Sequence, residues 1–359
     1  TQGAGAGARE AGVGRADRTH GGVGGVAYLL AGRTSRDRGG SSAASDLHIG
    51  SACGAEPVSD LRLYFSSATQ NTVATLNAIG ANQSVTLANI VSNVYGSPDA
   101  IGSLQVRSRD WRSLTVNATL LRLINGAGTA AGDMPVFRSD RALQGGEKMY
   151  LTGIRQSDTV HATMYLEDIG GVAETIRLEF LDASGNVSST RDVSVPQFST
   201  VEITDVPASA LTIAVTNTST GSIHGYVRMS DDTSGDTWSI VDWSRYYSFA
   251  RTQPIRLALV AGGSSGGGKR RAVKHSTSIE TDATAVRSVT SVSLFNSSSV
   301  EARATLTAGG VSKDVTIPVR QTMTIADVAS FMGMSNAQSL VIAPQRGEIV
   351  ATSRASTQT

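Results

Sequence analysis

The stretch that decides the fold is VTLANI at residues 85–90, because it recurs as VEITDV at 201–206 and as MTIADV at 323–328. In each copy apolar residues alternate with mostly polar ones, which is the period-2 pattern of a β-strand with one buried face. The fifth residue of each copy is Asn or Asp, a residue type that ends strands or caps a following helical turn. The copies start 116 and 122 residues apart, and this spacing matches the length of one small β-domain.

Further alternating segments surround each copy of the stretch. Around the second copy they lie at 176–180, 191–195, 211–215 and 223–229, with polar turn residues between them. Short strands separated by turn signals are typical of a β-sandwich. Long amphipathic helices are missing from the pattern, although residues 89–95 and 327–332 are each predicted to form one or two helical turns. The sequence therefore predicts an all-β fold, a tandem array of three Ig-like antiparallel β-sandwich domains.

Domain boundaries are indicated by an apolar opening segment, YLLAGR at residue 28, which recurs as YLTGIR at residue 150 and more loosely as LALVAG at residue 257. Residues 1–27 are rich in Gly, Ala and Arg and carry too few apolar residues to offset the entropy of ordering. They are predicted to be a disordered tail or the end loop of a preceding repeat, which makes the sequence a fragment of a longer array. The predicted domains are residues 28–148, 149–254 and 255–359.

The third predicted domain carries three motifs in order: VSLFN at 292–296, IADV at 325–328 and VATSR at 350–354. This order resembles a tandem repeat of large secreted and cell-surface proteins of bacteria, in which an L-x-L-[YF]-N opening is followed by V-x-L-x-D-V and V-T-S-R. The first predicted domain departs from the family pattern, since Asn89 occupies the Asp position. The second predicted domain lacks the segment that follows the Asp, here Asp205, in the family. The resemblance implies Ig-like sandwiches that stand beside other domains or in long arrays. It implies no catalytic residue.

Composition excludes several classes of function. A net charge of +1 in 359 residues provides no field that would attract nucleic acid or an anionic membrane. No apolar run approaches the ~20 residues of a membrane span. Cys53 is the only cysteine, so neither a disulfide framework nor a structural zinc site is expected. Cys53 itself is predicted to be a small buried residue, with a reactive thiol as the alternative.

The glycine-rich stretch at 262–269 contains G-x-S-x-G, the pattern of a nucleophile elbow, and most of a phosphate-binding loop. Both sites require a helix directly after the turn, because the helix N-terminus binds the phosphate or polarises the oxyanion. Here Arg270 replaces the Ser or Thr that would hold magnesium, and residues 271–275 do not form an amphipathic helix pattern. We expect a flexible loop.

Asp231, Asp232 and Asp236 form the candidate metal site of the sequence, because calcium prefers flexible, oxygen-rich loops. The order of an EF-hand is absent, so a polar loop is the alternative. The five histidines are isolated from one another, and no local pattern brings one to a serine. The carboxylates at 167, 168 and 174 have no spacing that predicts a glycosidase pair.

The densest set of aromatic residues lies in the segment that joins the second and third predicted domains. A linker seldom exposes so many rings, so we expect them to pack between those two domains; the alternative is a ligand-binding surface. The set comprises Trp238, Trp243, Tyr246, Tyr247 and Phe249.

These observations predict a non-catalytic, structural or adhesin-like repeat region of a secreted or surface-exposed bacterial protein, acting as a spacer or interaction scaffold. Its expected partners are neighbouring domains of a longer chain and a surface protein or polysaccharide, with no nucleic acid and no membrane span. No cofactor is expected apart from calcium at the Asp231 loop. The alternative is an accessory module of a secreted hydrolase that binds a polysaccharide or a protein, and a planar set of exposed aromatic rings would favour it.

Overall fold

A computed structural model describes residues 28–36, 41–51, 57–67, 70–97, 99–124, 127–233, 236–247, 249–259, 287–334 and 339–358. Within these ranges the protein is mostly β-structure, with antiparallel strand pairs and only short helices, so the all-β prediction is confirmed. The predicted N-terminal tail, Cys53 and the glycine-rich stretch at 262–269 lie outside the described residues. The described chain forms two compact units. The first contains the residues up to Phe180 and those from Ser188 to Tyr247, and the second contains Leu181–Val187 and the residues from Phe249 onward.

The first unit begins with strands that share one hydrophobic core, here called the first core, and these strands form the first sandwich. Its sheet has the strand order β4-β3-β6-β1-β2-β7-β8, with β5 paired to β2 and β9 paired to β1. The fully buried side chains of the first core include Leu47, Leu63 and Phe65. The elements are β1 Tyr28–Arg36, β2 Ser41–Ser51, β3 Leu61–Ser66, β4 Asn71–Leu76, β5 Ser84–Leu87, α1 Ile90–Asn93, β6 Ile101–Arg107, β7 Leu114–Ile124, β8 Ala127–Met134 and β9 Phe137–Arg138.

The rest of the first unit forms the second sandwich around a second core. One sheet has the order β10-β17-β12-β15 with β18 paired to β17, and the other has the order β11-β16-β13-β14. The second core takes residues from both sheets, among them Leu166 of β12 and Leu178 of β13. The elements are β10 Leu143–Gln144, β11 Lys148–Thr152, β12 Val160–Asp168, β13 Glu174–Leu181, β14 Val187–Val195, β15 Thr200–Ile203, β16 Thr212–Asn217, β17 Ser222–Asp231, β18 Thr237–Ile240 and α2 Trp243–Tyr246.

The second unit contains the third sandwich and a third core. Its sheets have the orders β19-β24-β21-β22 and β23-β20-β25, and Leu294 of β20 and Leu306 of β21 are fully buried between them. The elements are β19 Ile255–Ala258, β20 Arg287–Asn296, β21 Ala302–Ala308, β22 Val311–Ile317, β23 Thr322–Ile325, α3 Val328–Met332, β24 Ser339–Arg346 and β25 Ile349–Gln358.

The same strand order occurs three times in the described chain. The order β1-β6-β3-β4 of the first sandwich is repeated as β11-β16-β13-β14 and as β19-β24-β21-β22. A second pattern also recurs, because β2 lies between β5 and β7, β12 lies between β15 and β17, and β20 lies between β23 and β25. The recurrence therefore extends from sequence to topology.

The repeated stretch of the sequence occupies an equivalent place in each sandwich. It forms β5, β15 and β23, and in each strand the last residue is a buried Leu or Ile. The helical turns predicted after the first and third copies are confirmed as α1 and α3. At α3 the Asp327 side chain accepts a hydrogen bond from the backbone N–H of Ser330 at 3.1 Å, which is the capping role of an Asp at this position.

Candidate functional site

The first two sandwiches meet at a buried aromatic contact. Tyr165 and Tyr226 lie opposite each other on β12 and β17 of the second sandwich, and their rings stack with centroids 5.0 Å apart. Both are nevertheless buried in the first core, where Phe137 of β9 lies 6.1 Å from Tyr226 between ring centroids. The first sandwich therefore covers the outer face of the β12–β17 pair. We call this region the junction, and define it by Ser103, Phe137, Tyr165, Glu167, His224, Tyr226, Trp243 and Tyr246.

Helix α2 is held at the junction by its N-cap. The buried carboxylate of Asp242 accepts hydrogen bonds from the backbone N–H of Ser244 at 3.2 Å and from that of Tyr150 in β11 at 3.1 Å. Tyr246 then meets Phe137 edge to face, with centroids 5.6 Å apart. The Asp242 carboxylate therefore attaches helix α2 to the second sandwich, and the aromatic rings of α2 cover the first sandwich.

The aromatic residues that the sequence singles out pack against different cores. Trp243 and Tyr246 pack against the first core, Trp238 packs against the second, and Phe249 packs against the third. Packing of the set between the second and third sandwiches stays a prediction. Tyr247 is 66% exposed and stacks on Trp243 with centroids 5.5 Å apart and an interplanar angle of 11°.

A buried carboxyl group also lies at the junction. Glu167 of β12 is 3% exposed, and its Oε1 accepts a hydrogen bond from the hydroxyl of Ser103 in β6 of the first sandwich. Burial raises the pKa of Glu167 to about 8; the Ser103 hydrogen bond opposes that shift and the nearby Asp168 adds to it. A carboxyl in this state is protonated at neutral pH and is an uncharged polar contact between the two sandwiches.

The histidine at the junction is held neutral. His224 of β17 is 3% exposed, and its ring stacks on Phe137 with centroids 4.6 Å apart and an interplanar angle of 13°. Burial lowers the pKa of His224 to about 3, against a hydrogen bond to the backbone of Arg138 that favours the charged form. The imidazole therefore acts as an aromatic packing group rather than as a proton carrier near pH 7.

Connections between the two sheets of the second sandwich meet beside Asp168, the last residue of β12. Its Oδ2 accepts hydrogen bonds from the backbone N–H of Phe198 at 2.7 Å and of Gly171 at 3.0 Å, and its Oδ1 accepts one from Gly170 at 3.2 Å. Burial, with a smaller effect of the Glu174 charge, raises the pKa of Asp168 to about 6, although the three backbone donors oppose this shift. Asp168 thus ties the β12–β13 connection to the β14–β15 connection.

Glu174 begins β13 at the same end of the sandwich. It is 1% exposed, and neither of its carboxyl oxygens has a hydrogen-bond partner. The carboxyl lies against Gly221 of the β16–β17 turn, since a Cβ built on Gly221 would be 1.6 Å from Oε1 of Glu174. Glycine at 221 therefore provides the space that the carboxyl occupies.

The three aspartates that the sequence predicts as a metal site lie in and beside the β17–β18 turn. The Asp232 carboxylate pairs with Nε2 of His161 at 2.9 Å, and Asp231 Oδ1 accepts the backbone N–H of Thr233. The backbone carbonyl of Asp236 accepts a hydrogen bond from the N–H of Asp231. In the described part of the chain, no group of three or more His, Cys, Asp or Glu side chains is placed to hold a metal ion. Calcium binding by this loop stays a prediction.

The junction was missed by the sequence reasoning, although one signal for it exists. Residues 164–168 of β12 and 223–227 of β17 are buried without interruption. A strand with one face in water alternates, so uninterrupted burial means that a second layer covers the outer face. The sequence of β17, SIHGYVRMSD, shows this loss of alternation at His224–Val227.

The comparisons with known proteins do not identify the chain. No protein-family model and no curated protein sequence matches it. Two cryo-EM structures of the arabinofuranosyltransferase AftD from mycobacteria, one of them a mutant, match 89% and 92% of this chain at 11% identity, with TM-scores of 0.18 and 0.19. The chain covers 32% of the length of each of these structures. Similarity at this level carries no argument about fold or function, and the resemblance to bacterial surface repeats stays a prediction.

Proposed function

We propose that this chain is a non-catalytic array of three Ig-like β-sandwich domains, part of a secreted or surface-exposed bacterial protein, that acts as a spacer and interaction scaffold. The observation that carries the proposal is the junction, where Tyr165 and Tyr226 of one sandwich are buried in the core of another. Burial of aromatic rings on this scale removes large apolar areas from water and resists bending. A domain pair joined in this way keeps a fixed geometry.

The recurring strand order gives the proposal its second support. A scaffold built from copies of one topology gains length with each copy, and stacked repeats need only neighbour contacts to be stable.

In the described residues no helix is long and apolar enough to cross a membrane. The partners we propose are neighbouring domains and a surface protein or polysaccharide.

Rigidity of the junction is directly measurable by pulsed electron-spin distance measurements. With Cys53 replaced by Ser, spin labels at Thr75→Cys on β4 and Ser189→Cys on β14 report on the two sandwiches, since both positions are exposed. A control pair at Asp158→Cys and Ser189→Cys lies within the second sandwich. We expect the two distance distributions to be equally narrow. A broad or multimodal distribution for the pair across the junction would rule out a rigid spacer.

A binding module is the second candidate, and one observation favours it. Tyr247 is exposed and lies flat on Trp243, and stacked aromatic rings at a surface are a common platform for sugar rings. The other rings of the segment are partly buried, which leaves a platform of one exposed residue. Affinity electrophoresis of the wild type and Tyr247→Ala in gels containing soluble polysaccharides tests it, because retardation lost in the variant would support binding.

A further inference from the structure

Glu174 is a buried carboxyl group without a partner for either oxygen. Burying an isolated charge is costly, so such a group is either protonated or paired with a cation. A protonated carboxyl still needs an acceptor for its O–H, and neither oxygen of Glu174 has a hydrogen-bond partner. Pairing with a cation satisfies both oxygens together.

Asp168 supplies a second carboxyl close to Glu174. The charge of Glu174 is near enough to raise the pKa of Asp168. The Oδ1 of Asp168 accepts one hydrogen bond, from Gly170 at 3.2 Å, and a carboxylate oxygen has a further lone pair for another ligand. Two ionised carboxyl groups at one buried site repel each other unless a cation lies between them.

Two glycines bring the carboxyl-bearing connections together. A Cβ built on Gly170 would be 3.7 Å from Asp168 Oδ1 and 3.6 Å from the Cα of Gly221. A Cβ on Gly221 would in turn collide with Glu174 Oε1. The β12–β13 connection and the β16–β17 turn therefore approach each other through glycine backbone, with the acidic oxygens beside them. Such a close approach is what a shared ligand requires.

We propose that Asp168 and Glu174 bind a calcium ion at this end of the second sandwich. Two carboxylates balance the charge of a divalent cation, and calcium accepts oxygen ligands from irregular turns, whereas magnesium requires a near-octahedral set. Backbone carbonyls of the flanking turns and water complete the coordination. The ion would pin together the connections that close this end of the sandwich.

The proposed site is distinct from the aspartate loop that the sequence singles out. Asp232 of that loop pairs with His161 at 2.9 Å, and both side chains are largely exposed. Asp168 and Glu174 are instead fully buried. The Asp232→Asn variant therefore serves as a matched control that removes one carboxylate from the other candidate.

The test is calcium titration of the full chain after treatment with a chelator, followed by calorimetry and thermal unfolding. We expect one site and a rise in Tm of roughly 5 to 10 °C at one hundred times Kd, with a clearly smaller effect of magnesium. Glu174→Gln, which keeps the shape and removes the charge, should abolish the heat and the Tm shift, and Asp232→Asn should retain both. Glu174→Asp should raise the Kd for calcium by roughly tenfold or more. This variant provides a second test if Glu174→Gln does not fold.

Three outcomes would overturn the proposal. A wild-type protein that gives neither heat nor a Tm shift with calcium would mean that no calcium ion binds at Asp168 and Glu174. A response that persists in Glu174→Gln, or one that disappears in Asp232→Asn, would place the ion elsewhere. These results are independent of the rigidity of the junction, so the spacer proposal stands or falls separately.

Discussion

Glu167 and His224 lie directly opposite each other on β12 and β17, on the face that the first sandwich covers. Each is 3% exposed, and burial acts on their pKa values in opposite directions, raising that of Glu167 to about 8 and lowering that of His224 to about 3. Both groups are therefore uncharged at the junction near neutral pH. The junction should consequently lose stability through His224 as the pH falls and through Glu167 as the pH rises.

His224 should make the protein less stable in mild acid. Its ordinary pKa is 6.5 and its folded-state pKa is about 3, so between these values the unfolded chain binds a proton that the folded chain does not. Stability is then present above pH 6.5 and is lost by about 1.4 kcal/mol per unit as pH falls toward 3. Between pH 4.5 and 6.5 the opposite contribution of Glu167 offsets this slope in the wild type. Urea unfolding at several pH values should therefore show the His224 contribution as the difference between the wild type and His224→Gln. An unchanged slope in the variant would mean that His224 ionises freely in the fold.

Glu167 should make the protein less stable as the pH rises from 4.5 to 8. Its ordinary pKa is 4.5 and its folded-state pKa is about 8, so the folded chain holds a proton that the unfolded chain has released. The contribution is fully present below pH 4.5 and is lost as pH rises through 8, by about 1.4 kcal/mol per unit. Glu167→Gln keeps a partner for Ser103 and should remove the loss between pH 6.5 and 8. The control is Glu301→Gln in the second unit, where the carboxylate pairs with Arg303 at 3.0 Å outside the junction, and it should leave the profile as it is.

Phe137 should be the side chain on which the junction depends most. It contacts His224, Tyr226 and Tyr246 across the two sandwiches, and it is 6% exposed. Truncation of a buried Phe to Ala costs about 3 to 5 kcal/mol, because apolar contact is lost and a cavity remains. We expect Phe137→Ala to lower the free energy of unfolding of the first unit by that amount in urea titrations. Tyr247→Ala removes an exposed ring and should change it by less than about 0.5 kcal/mol.

The sequence predicted those parts of the fold whose causes are local. The alternation around residues 85–90, 201–206 and 323–328 predicted equivalent strands, and they occur as β5, β15 and β23. The Asp at 327 predicted a capped helical turn, which is α3. Period and capping depend on neighbouring residues alone, and are therefore visible in a single chain.

The junction and the acidic site could not be predicted in the same way. Phe137 meets His224 across 87 positions of the sequence, and no local pattern relates the two residues. The spacing of the acids at 167, 168 and 174 predicts no site. It does not show that the first sandwich covers Glu167, or that Asp168 and Glu174 are enclosed by connections of the second sandwich. Their burial is a consequence of tertiary packing, which overrides the usual exposure of carboxylates.

Asn296 should be the most sensitive polar residue of the third sandwich. It is fully buried, and its Nδ2 donates to the backbone carbonyls of Val300, Ile317 and Pro318 at 2.7 to 3.1 Å, while its Oδ1 accepts from Ser298. Removal of the amide takes one donor from each carbonyl, although those of Val300 and Pro318 keep the Ser298 hydroxyl and the Gln321 N–H as donors. We expect a loss of about 1 to 3 kcal/mol for the site as a whole. Asn296→Ala should therefore lower the Tm of the second unit strongly in calorimetry. Ser299→Ala, a substitution of an exposed residue in the same turn, should leave that Tm unchanged.

Gly221 should tolerate alanine only when Glu174 is shortened. A Cβ at 221 would lie 1.6 Å from Glu174 Oε1, and Gly221 does not have a positive φ that would penalise alanine by itself. The cost of Gly221→Ala is therefore displacement of the buried carboxyl, and overpacking of this kind costs about 1 to 3 kcal/mol. In a double-mutant cycle with chelator present, we expect that cost in the wild-type background and most of it to vanish in Glu174→Ala. Equal costs in the two backgrounds would show that backbone rearrangement at the turn, and not the Glu174 carboxyl, sets the requirement for glycine.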